Sequence, residues 1–391
     1  MREARNPMKR ENLVKLEGYS EIEKEIEVAR RYGSDYRLEK GQVAEYLNRL
    51  HPKRLSLKVN EVIEETDSTK TFRLILENGY LSPFQAGQYI SVFIEVDGIR
   101  TSRPYSISSP PTEIGHFDIT VRRVEDGLIS NYLMDQIKTG ETIECSGPKG
   151  RFHFNPLIHH DHLILLAGGS GITPFASMIR EAVSRGSTRQ FTLLYGNRSL
   201  DDIIFHDELQ DLADRLENFS YIPVIESPSG SYQGKTGLMD AALISDAIGK
   251  LDGKSYFLCG PPGMYEFCLA ELDKLEIPAR KIKREMFGAP VNIWDYPGWP
   301  SGIDQNAEFT LSVNGREVPV VAKESILTAL EREGQVVPTA CRSGACSMCR
   351  VKLLSGKIYL PPSTPVRKSD RQFGYIHSCV SYPLEDVAVL L

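Results

Sequence analysis

"CRSGACSMC", residues 341–349, places three cysteines within nine positions, and a fourth follows at Cys379 in "GYIHSCVSYP" (374–383). The order is C-x4-C-x2-C, then a gap of 29 residues, then C. With that spacing four thiolates hold a two-iron, two-sulfur cluster of the plant type. Soft thiolates suit iron, and the run from Cys341 to Cys346 can wrap one side of a small inorganic core. Gly344 lets the loop pass close to a sulfide and take φ values other residues avoid. A structural zinc site usually shows two C-x2-C knuckles, and only one is present. Disulfides need an oxidising compartment, yet the opening "MREARNPMKR" has charge and no apolar signal core. Cys341, Cys346, Cys349 and Cys379 are therefore the expected metal ligands. The remaining Cys145, Cys259 and Cys268 lie far apart and define no framework.

Outward from the cysteines, the 391 residues are long enough for two to four domains. A net charge of −6 argues against non-specific nucleic-acid binding. No stretch approaches the eighteen apolar residues of a membrane span, so a cytoplasmic chain is expected. The charge is uneven. From Ala307 to Leu391 ten Lys/Arg stand against eight Asp/Glu, about +2, which leaves about −8 for the rest. A mildly basic, cluster-bearing end prefers an acidic docking face on its partner.

Residues 1–53 are charged and read as a helical extension. "SEIEKEIEVARRYG" opens with a capping box, Ser20 with Glu23, and stops at Gly33. "VAEYLNRL" puts Val43, Tyr46, Leu47 and Leu50 on one face. The extension reads either as a docking arm or, preferably, as a cover packed on the next domain. Residues 54–157 hold short alternating runs separated by turn residues, the pattern of an antiparallel barrel. From there to 288, apolar runs alternate with helical stretches, as in parallel βαβ units. A linker with three prolines and both tryptophans, 289–306, is expected to pack on a domain surface. The mixed, cluster-bearing domain spans 307–391.

Inside the barrel segment, "RPYSISSP" alternates Arg103, Tyr105 and Ser106 along a strand. An arginine can neutralise a phosphate, an aromatic ring can stack on a flat heterocycle, and a hydroxyl can reach a polar ring atom. "DGLISNYL" has Gly127 at a turn and Ser130 opening a helix, whose free N–H groups suit a pyrophosphate. In "LLAGGSGITPFASM" an apolar strand runs into Gly168-Gly169-Ser170-Gly171, and a helix follows with Thr173 and Pro174 in its first turn. This is a phosphate-binding turn, with Pro174 where the last glycine of the dinucleotide fingerprint would stand. In "YFLCGPPGMYEF", Cys259 and Gly260 end a strand. Cys259 there is either a small buried hydrophobe or a neighbour of a reactive ring.

Taken in order, R-x-Y-S, G-x-x-S, G-x-G-x-x-P, C-G-P-P and C-x4-C-x2-C…C resemble the ferredoxin–NADP reductase superfamily with a fused C-terminal plant-type ferredoxin. Reductase components of oxygenase systems are of this type. The resemblance covers residues 55–391 and leaves the N-terminal arm outside. It implies a flavin domain of β-barrel type, a parallel-sheet nucleotide domain and a β-grasp 2Fe-2S domain. It also implies that Arg103, Pro104, Tyr105 and Ser106 hold FAD, with Ser106 near the flavin N5 edge. Thr120, Val121 and Arg122 would continue that site, and Gly127, Leu128, Ile129 and Ser130 would take the phosphates. Gly169, Gly171 and Thr173, with Cys259, Gly260 and Pro261, would hold NADH or NADPH. Glu285 matches an acidic residue near the chain end of simpler reductases, and Phe287 sits where many have a tyrosine shielding the flavin. Ser106, Cys259 and Glu285 are the expected catalytic positions. Ser347 departs from the glycine common after the second cluster cysteine, a change expected to alter hydrogen bonding to sulfur.

The implied activity is an NAD(P)H-dependent oxidoreductase. Hydride passes to FAD, and single electrons then pass through the cluster to a protein acceptor, an oxygenase or another redox enzyme. The alternatives are an electron-wiring or redox-sensing subunit without independent turnover, and reverse transfer that reduces NAD(P)+. Arg198, Asp201 and Asp202 after "LLYGNRS" give conflicting signals for NADH against NADPH, and the oligomeric state stays open.

Overall fold

The structure is a computed structural model that describes residue 15 and residues 18–32, 45–48 and 50–391, apart from 97, 229–231, 289–291, 363 and 365. The chain divides into two units, Met1–Pro52 and Lys53–Leu391. In the first, a helix runs from Tyr19 to Tyr32, with Glu21 in its first turn and Arg30 and Arg31 in its last. That polarity matches the helix macrodipole. The helix starts one residue before Ser20, which therefore sits inside the first turn and is not the cap of a capping box. The expected Gly33 stop and Val43 lie outside the described residues.

The second unit begins with β1 (Leu55–Thr66), β2 (Thr69–Ile75), β3 (Tyr89–Val96), β4 (Ile99–Ser106), β5 (Phe117–Arg122) and β6 (Thr142–Cys145). Among the described residues these form one antiparallel sheet in the order β4-β3-β6-β1-β2-β5. A bridge between Ile107 and Ile119 joins its two edges and closes the barrel. Alternation decides what is inside: Leu57, Val59, Phe72, Leu74, Ile90 and Val92 are all fully buried. Each such side chain contributes about 1.5–3 kcal/mol. The helix Leu128–Gln136 adds Ile129 and Leu133 to the same core.

The next sheet comprises β7 (His162–Gly168), β8 (Gln190–Asn197), β9 (Phe219–Ile225), β10 (Lys235–Thr236), β11 (Lys254–Cys259) and β12 (Ile282–Glu285). All neighbours are parallel, in the order β10-β9-β8-β7-β11-β12. Leu163 to Ala167 are fully buried, as a strand covered on both faces requires. Phe175 and Ile179 of helix Thr173–Ser184 and Leu209 of helix His206–Arg215 cover one face. Ile244 of helix Ala241–Ile248 and Tyr265 and Leu272 of helix Pro262–Lys274 cover the other.

The last domain holds β13 (Glu308–Val313), β14 (Arg316–Val321), β15 (Arg350–Ser355), β16 (Ile358–Tyr359), β17 (Tyr375–His377), β18 (Tyr382–Pro383) and β19 (Val387–Leu390). The main sheet runs β14-β13-β19-β15-β17, with β13 and β19 parallel. Helix Ile326–Arg332, capped by the Ser325 side chain, packs on it. The linker is not loose. Ile293, Trp294, Tyr296 and Trp299 pack with Tyr359 and Tyr382 of the β16–β18 pair, and the Tyr359 hydroxyl donates to Pro297 O at 2.9 Å.

Candidate functional site

Strand order positions the nucleotide crevice. From β7 the chain winds outward through β8, β9 and β10, then returns to lay β11 on the other side of β7. The reversal leaves a crevice at the carboxyl ends of β7 and β11, where open α/β sheets bind ligands. Both candidate loops end there, with Ala167 and Cys259 in register. The loops interlock tightly. A Cβ on Gly171 would stand 2.1 Å from the Cys259 carbonyl oxygen, and one on Gly168 would stand 2.3 Å from Met264 Sδ. Gly169 has φ +51°, and a Cβ there would meet Arg122 Nη1 at 2.7 Å. These glycines thus serve packing between loops as well as backbone approach to a ligand. Thr173 is buried and its hydroxyl donates to Ser170 O at 3.0 Å, bracing the turn. The Gly260 N–H donates to the Tyr265 hydroxyl at 3.2 Å, and Pro261 precedes the next helix. Cys259 is almost completely buried, and burial followed by the Glu285 charge pushes its thiol well up, so it stays protonated.

On β4, Arg103, Pro104, Tyr105 and Ser106 face Val92, Ser91, Ile90 and Tyr89 of β3 in turn. Ser106 is buried and its hydroxyl finds no partner within the chain. Burial, and then the Arg342 charge, bring Arg103 down to about 10. Both features mark a site short of a polar, anionic occupant, which fits a flavin and its phosphate. Tyr105 packs against the barrel core. On β5 the Thr120 hydroxyl is shared with Thr71 at 2.8 Å and Ser108 at 2.9 Å, while Val121 faces the core. Gly127 precedes the helix Leu128–Gln136 with no side-chain cap, leaving N–H groups available to a phosphate. Leu128 is exposed and Ile129 buried, and Ser130 Oγ turns back to accept from Val124 N at 3.3 Å.

Arg122 does something the motif does not reveal. It bridges from β5 to the nucleotide domain, donating to Asp202 O at 2.5 Å and pairing with the Asp202 carboxylate at 3.1 Å. Ser68 and Thr66 also donate to that carboxylate, at 2.7 and 3.2 Å. Asp202 is therefore committed to the barrel, whereas Arg198 and Asp201 are exposed.

Barrel, nucleotide domain and cluster loop meet at one point. Tyr89 of β3 and Phe287 pack with Ala340, Cys341 and Cys346. Glu285 ends β12 opposite Cys259. Its Oε2 is buried without a hydrogen-bond partner, and burial, then the charge on Cys341, push its carboxyl up to about 8. Tyr89 belongs to no sequence motif; only its register with Ser106 reveals it.

The four expected ligands assemble as two pairs. Cys349 and Cys379 have their sulfurs 3.2 Å apart. The neighbouring Cys346 thiol, with the N–H groups of Ser343 and Cys346, holds the Cys341 thiol well below its ordinary value. Backbone N–H groups point at sulfur from Ser343 (3.4 Å), Cys346 (3.3 Å) and Met348 (3.5 Å). Among the described residues no group of three or more His, Cys, Asp or Glu is arranged for a single metal ion. Two thiol pairs ringed by N–H donors suit a two-iron cluster, one pair to each iron. Arg342, Gly344 and Ser347 all have positive φ, at 54°, 78° and 59°. Thr364 Cγ2 and Val380 Cγ2 would stand 2.7 and 2.9 Å from a Cβ on Gly344. His377 braces the loop from behind, with Nδ1 2.6 Å from Gly344 O and Nε2 3.1 Å from Asp370.

Known proteins show the same arrangement. Residues 56–154 match the oxidoreductase FAD-binding domain, 165–269 the oxidoreductase NAD-binding domain and 309–384 the 2Fe-2S iron-sulfur cluster binding domain. The glycine betaine monooxygenase reductase subunit of Pseudomonas aeruginosa is 29% identical over 343 residues, covering 84% of this chain and 93% of the relative. A 1,2-phenylacetyl-CoA epoxidase component of Escherichia coli is 29% identical over 368 residues, covering 85% and 96%. Among solved structures, phthalate dioxygenase reductase aligns with a TM-score of 0.65 at 25% identity, covering 86% of this chain and 98% of that one. Three such modules in one chain define an iron–sulfur flavoprotein of the reductase type. The chain thus combines FAD-binding, NAD-binding and 2Fe-2S cluster-binding domains, the arrangement of the ferredoxin–NADP reductase superfamily with a fused C-terminal plant-type 2Fe-2S domain that its motifs resemble.

Proposed function

We propose that this chain is the reductase component of an oxygenase system, drawing electrons from NADH or NADPH and delivering them singly to a separate oxygenase protein. Similarity along most of its length to reductase proteins of monooxygenase, epoxidase and dioxygenase systems supports the reading. The single observation that carries it is the junction of Tyr89, Phe287 and Cys341, where β3, the strand beside the flavin strand, meets the cluster loop. When bound, FAD accepts an electron pair as hydride and releases single electrons, and the cluster carries them one at a time.

The protein's own work is positioning and exclusion of water. Arg103 and the N–H groups at Gly127–Ser130 anchor flavin phosphates, and Ser106 offers its unpartnered hydroxyl to the ring. The crevice between the Gly169–Thr173 and Cys259–Pro261 turns seats the nicotinamide nucleotide. The neutral Cys259 thiol lines it, and the Glu285 carboxyl keeps its proton at neutral pH beside it. Cys341 with Cys346, and Cys349 with Cys379, ligate the irons. The mildly basic C-terminal domain favours an acidic docking face on the acceptor. None of the seven cysteines is joined in a disulfide, in keeping with a reducing compartment such as the cytoplasm. Among the described residues no helix is long and apolar enough to cross a membrane.

An anaerobic titration tests this. Stoichiometric NADH or NADPH should bleach the flavin absorbance of iron-loaded protein; absorbance unchanged by either nucleotide would defeat the reading.

A further inference from the structure

The flavin strand and the cluster loop are joined by a buried polar network with no local origin in the sequence. Thr101 of β4 uses its hydroxyl fully: it donates to Glu331 Oε2 at 3.0 Å and accepts from Arg103 Nη1 at 3.1 Å and Arg342 Nη2 at 2.8 Å. A hydroxyl can do no more than donate once and accept twice. Arg342 also pairs directly with Glu331. Thr101, Glu331 and Arg342 are each less than one-tenth exposed.

Two local choices run against propensity to build it. Arg342 takes φ +54°, a left-handed region that disfavours any residue bearing a side chain. Glu331 stands in the last turn of helix Ile326–Arg332, where the macrodipole disfavours an anion. Strain of this kind persists where surrounding structure holds it for a purpose. Arg342 directly follows Cys341 in the chain, and Arg103 is the expected flavin-phosphate anchor. The network thus ties the residue next to a cluster ligand to the residue next to the flavin. Two cations face one carboxylate in it, and the Arg342 Nε is buried with no partner. That surplus of positive charge lies between the two sites whose charge becomes more negative on reduction.

We infer that Arg342, acting through Thr101 and Glu331, is a positioning residue that clasps the cluster loop onto the flavin strand and sets the rate of electron passage between them. This rests on the electron-transfer reading above. The test uses holoprotein bearing Thr101→Val or Arg342→Gln, with Arg342→Lys as the conservative variant. Anaerobic stopped-flow follows flavin bleaching and then cluster reduction after mixing with NADH or NADPH.

Flavin bleaching should keep its wild-type rate in both variants. Cluster reduction should slow several-fold, since electron passage falls off steeply with separation, and Arg342→Lys should recover part of the rate. Cluster reduction at the wild-type rate, or equal losses in both steps, would overturn the inference. Hydrogen exchange on the oxidised holoprotein gives a second reading, independent of NAD(P)H. Amides of 341–349 should lose protection in Thr101→Val while β7 and β11 keep theirs, and unchanged protection of 341–349 would count against the clasp. A wild-type protein that takes no electrons from NAD(P)H would defeat the functional reading alone, leaving the exchange result to judge the clasp.

Discussion

The rings of Tyr89 and Phe287 meet edge to face, with centroids 5.7 Å apart and planes at 85°. Tyr89 comes from the barrel and Phe287 from the end of the nucleotide domain, and both pack with Cys341 of the cluster loop. One aromatic pair therefore seals the corner where three domains converge. Edge-to-face pairs are worth about 0.5–1.5 kcal/mol beyond area burial. Phe287→Ala should lower stability in urea by at least that amount, whereas Phe287→Tyr should hold it. An alanine variant as stable as wild type would show that the contact carries no load.

Asp202 gives a sharper expectation about coenzyme choice. Its carboxylate is shared among Arg122, Ser68 and Thr66 on the barrel side. Asp202→Asn should cost about 1 kcal/mol, below the usual range for a bond to a charged group because the carboxylate is partly solvated. The ratio of kcat/KM for NADH over NADPH should stay at its wild-type value. A large swing in that ratio would mean that Asp202 reads the ribose after all.

These residues mark the limit of what the linear pattern discloses. Barrel, parallel sheet and cluster domain are legible because strand periodicity and turn residues act locally, and the cysteine spacing is a chemical constraint written in order. Partners across domains leave no such trace. Nothing near Thr101 in the chain announces Glu331, 230 positions away, and Arg122 reads as a flavin residue because its bond to Asp202 crosses a domain boundary. Asp201 and Asp202 look interchangeable in sequence, yet only Asp202 turns inward. The glycine turn reads as a phosphate cradle, while the close fit of Gly171 against Cys259 needs coordinates.

Ser347 occupies a backbone position with φ +59°, which suits glycine, and its Oγ is buried without a partner in the chain. Such a hydroxyl, next to Cys346, is placed to donate toward cluster sulfur. Ser347→Gly should therefore relieve about 1–2 kcal/mol of backbone strain and lower the reduction potential, since hydrogen bonds to sulfur favour the reduced state. Thermal melts and a potentiometric titration read the two effects separately. A potential unmoved or raised in the glycine variant would exclude the hydroxyl as a donor.

Acid sensitivity should trace in part to the barrel. Burial alone would raise the Asp118 carboxyl, but the nearby His116 ring and the hydrogen bonds from Arg73 outweigh it and hold the group below its ordinary 3.8. Arg73 donates twice, at 3.0 and 2.9 Å. A depressed carboxyl contributes stability that is present above the unfolded value and is lost as pH falls through the folded one. Asp118→Asn should cost about 1.5–3 kcal/mol at pH 7 and flatten the dependence below pH 4. Parallel acid-denaturation curves for the two proteins would contradict this.

Whether electrons from a nicotinamide nucleotide reach irons held by Cys341, Cys346, Cys349 and Cys379 is decided most directly by paramagnetic resonance on anaerobically prepared protein frozen after addition of NADH or NADPH. A rhombic spin-half signal should appear, matched by two irons and two labile sulfides per chain. A silent spectrum from protein that holds its flavin and iron, or zinc in place of the iron, would contradict it.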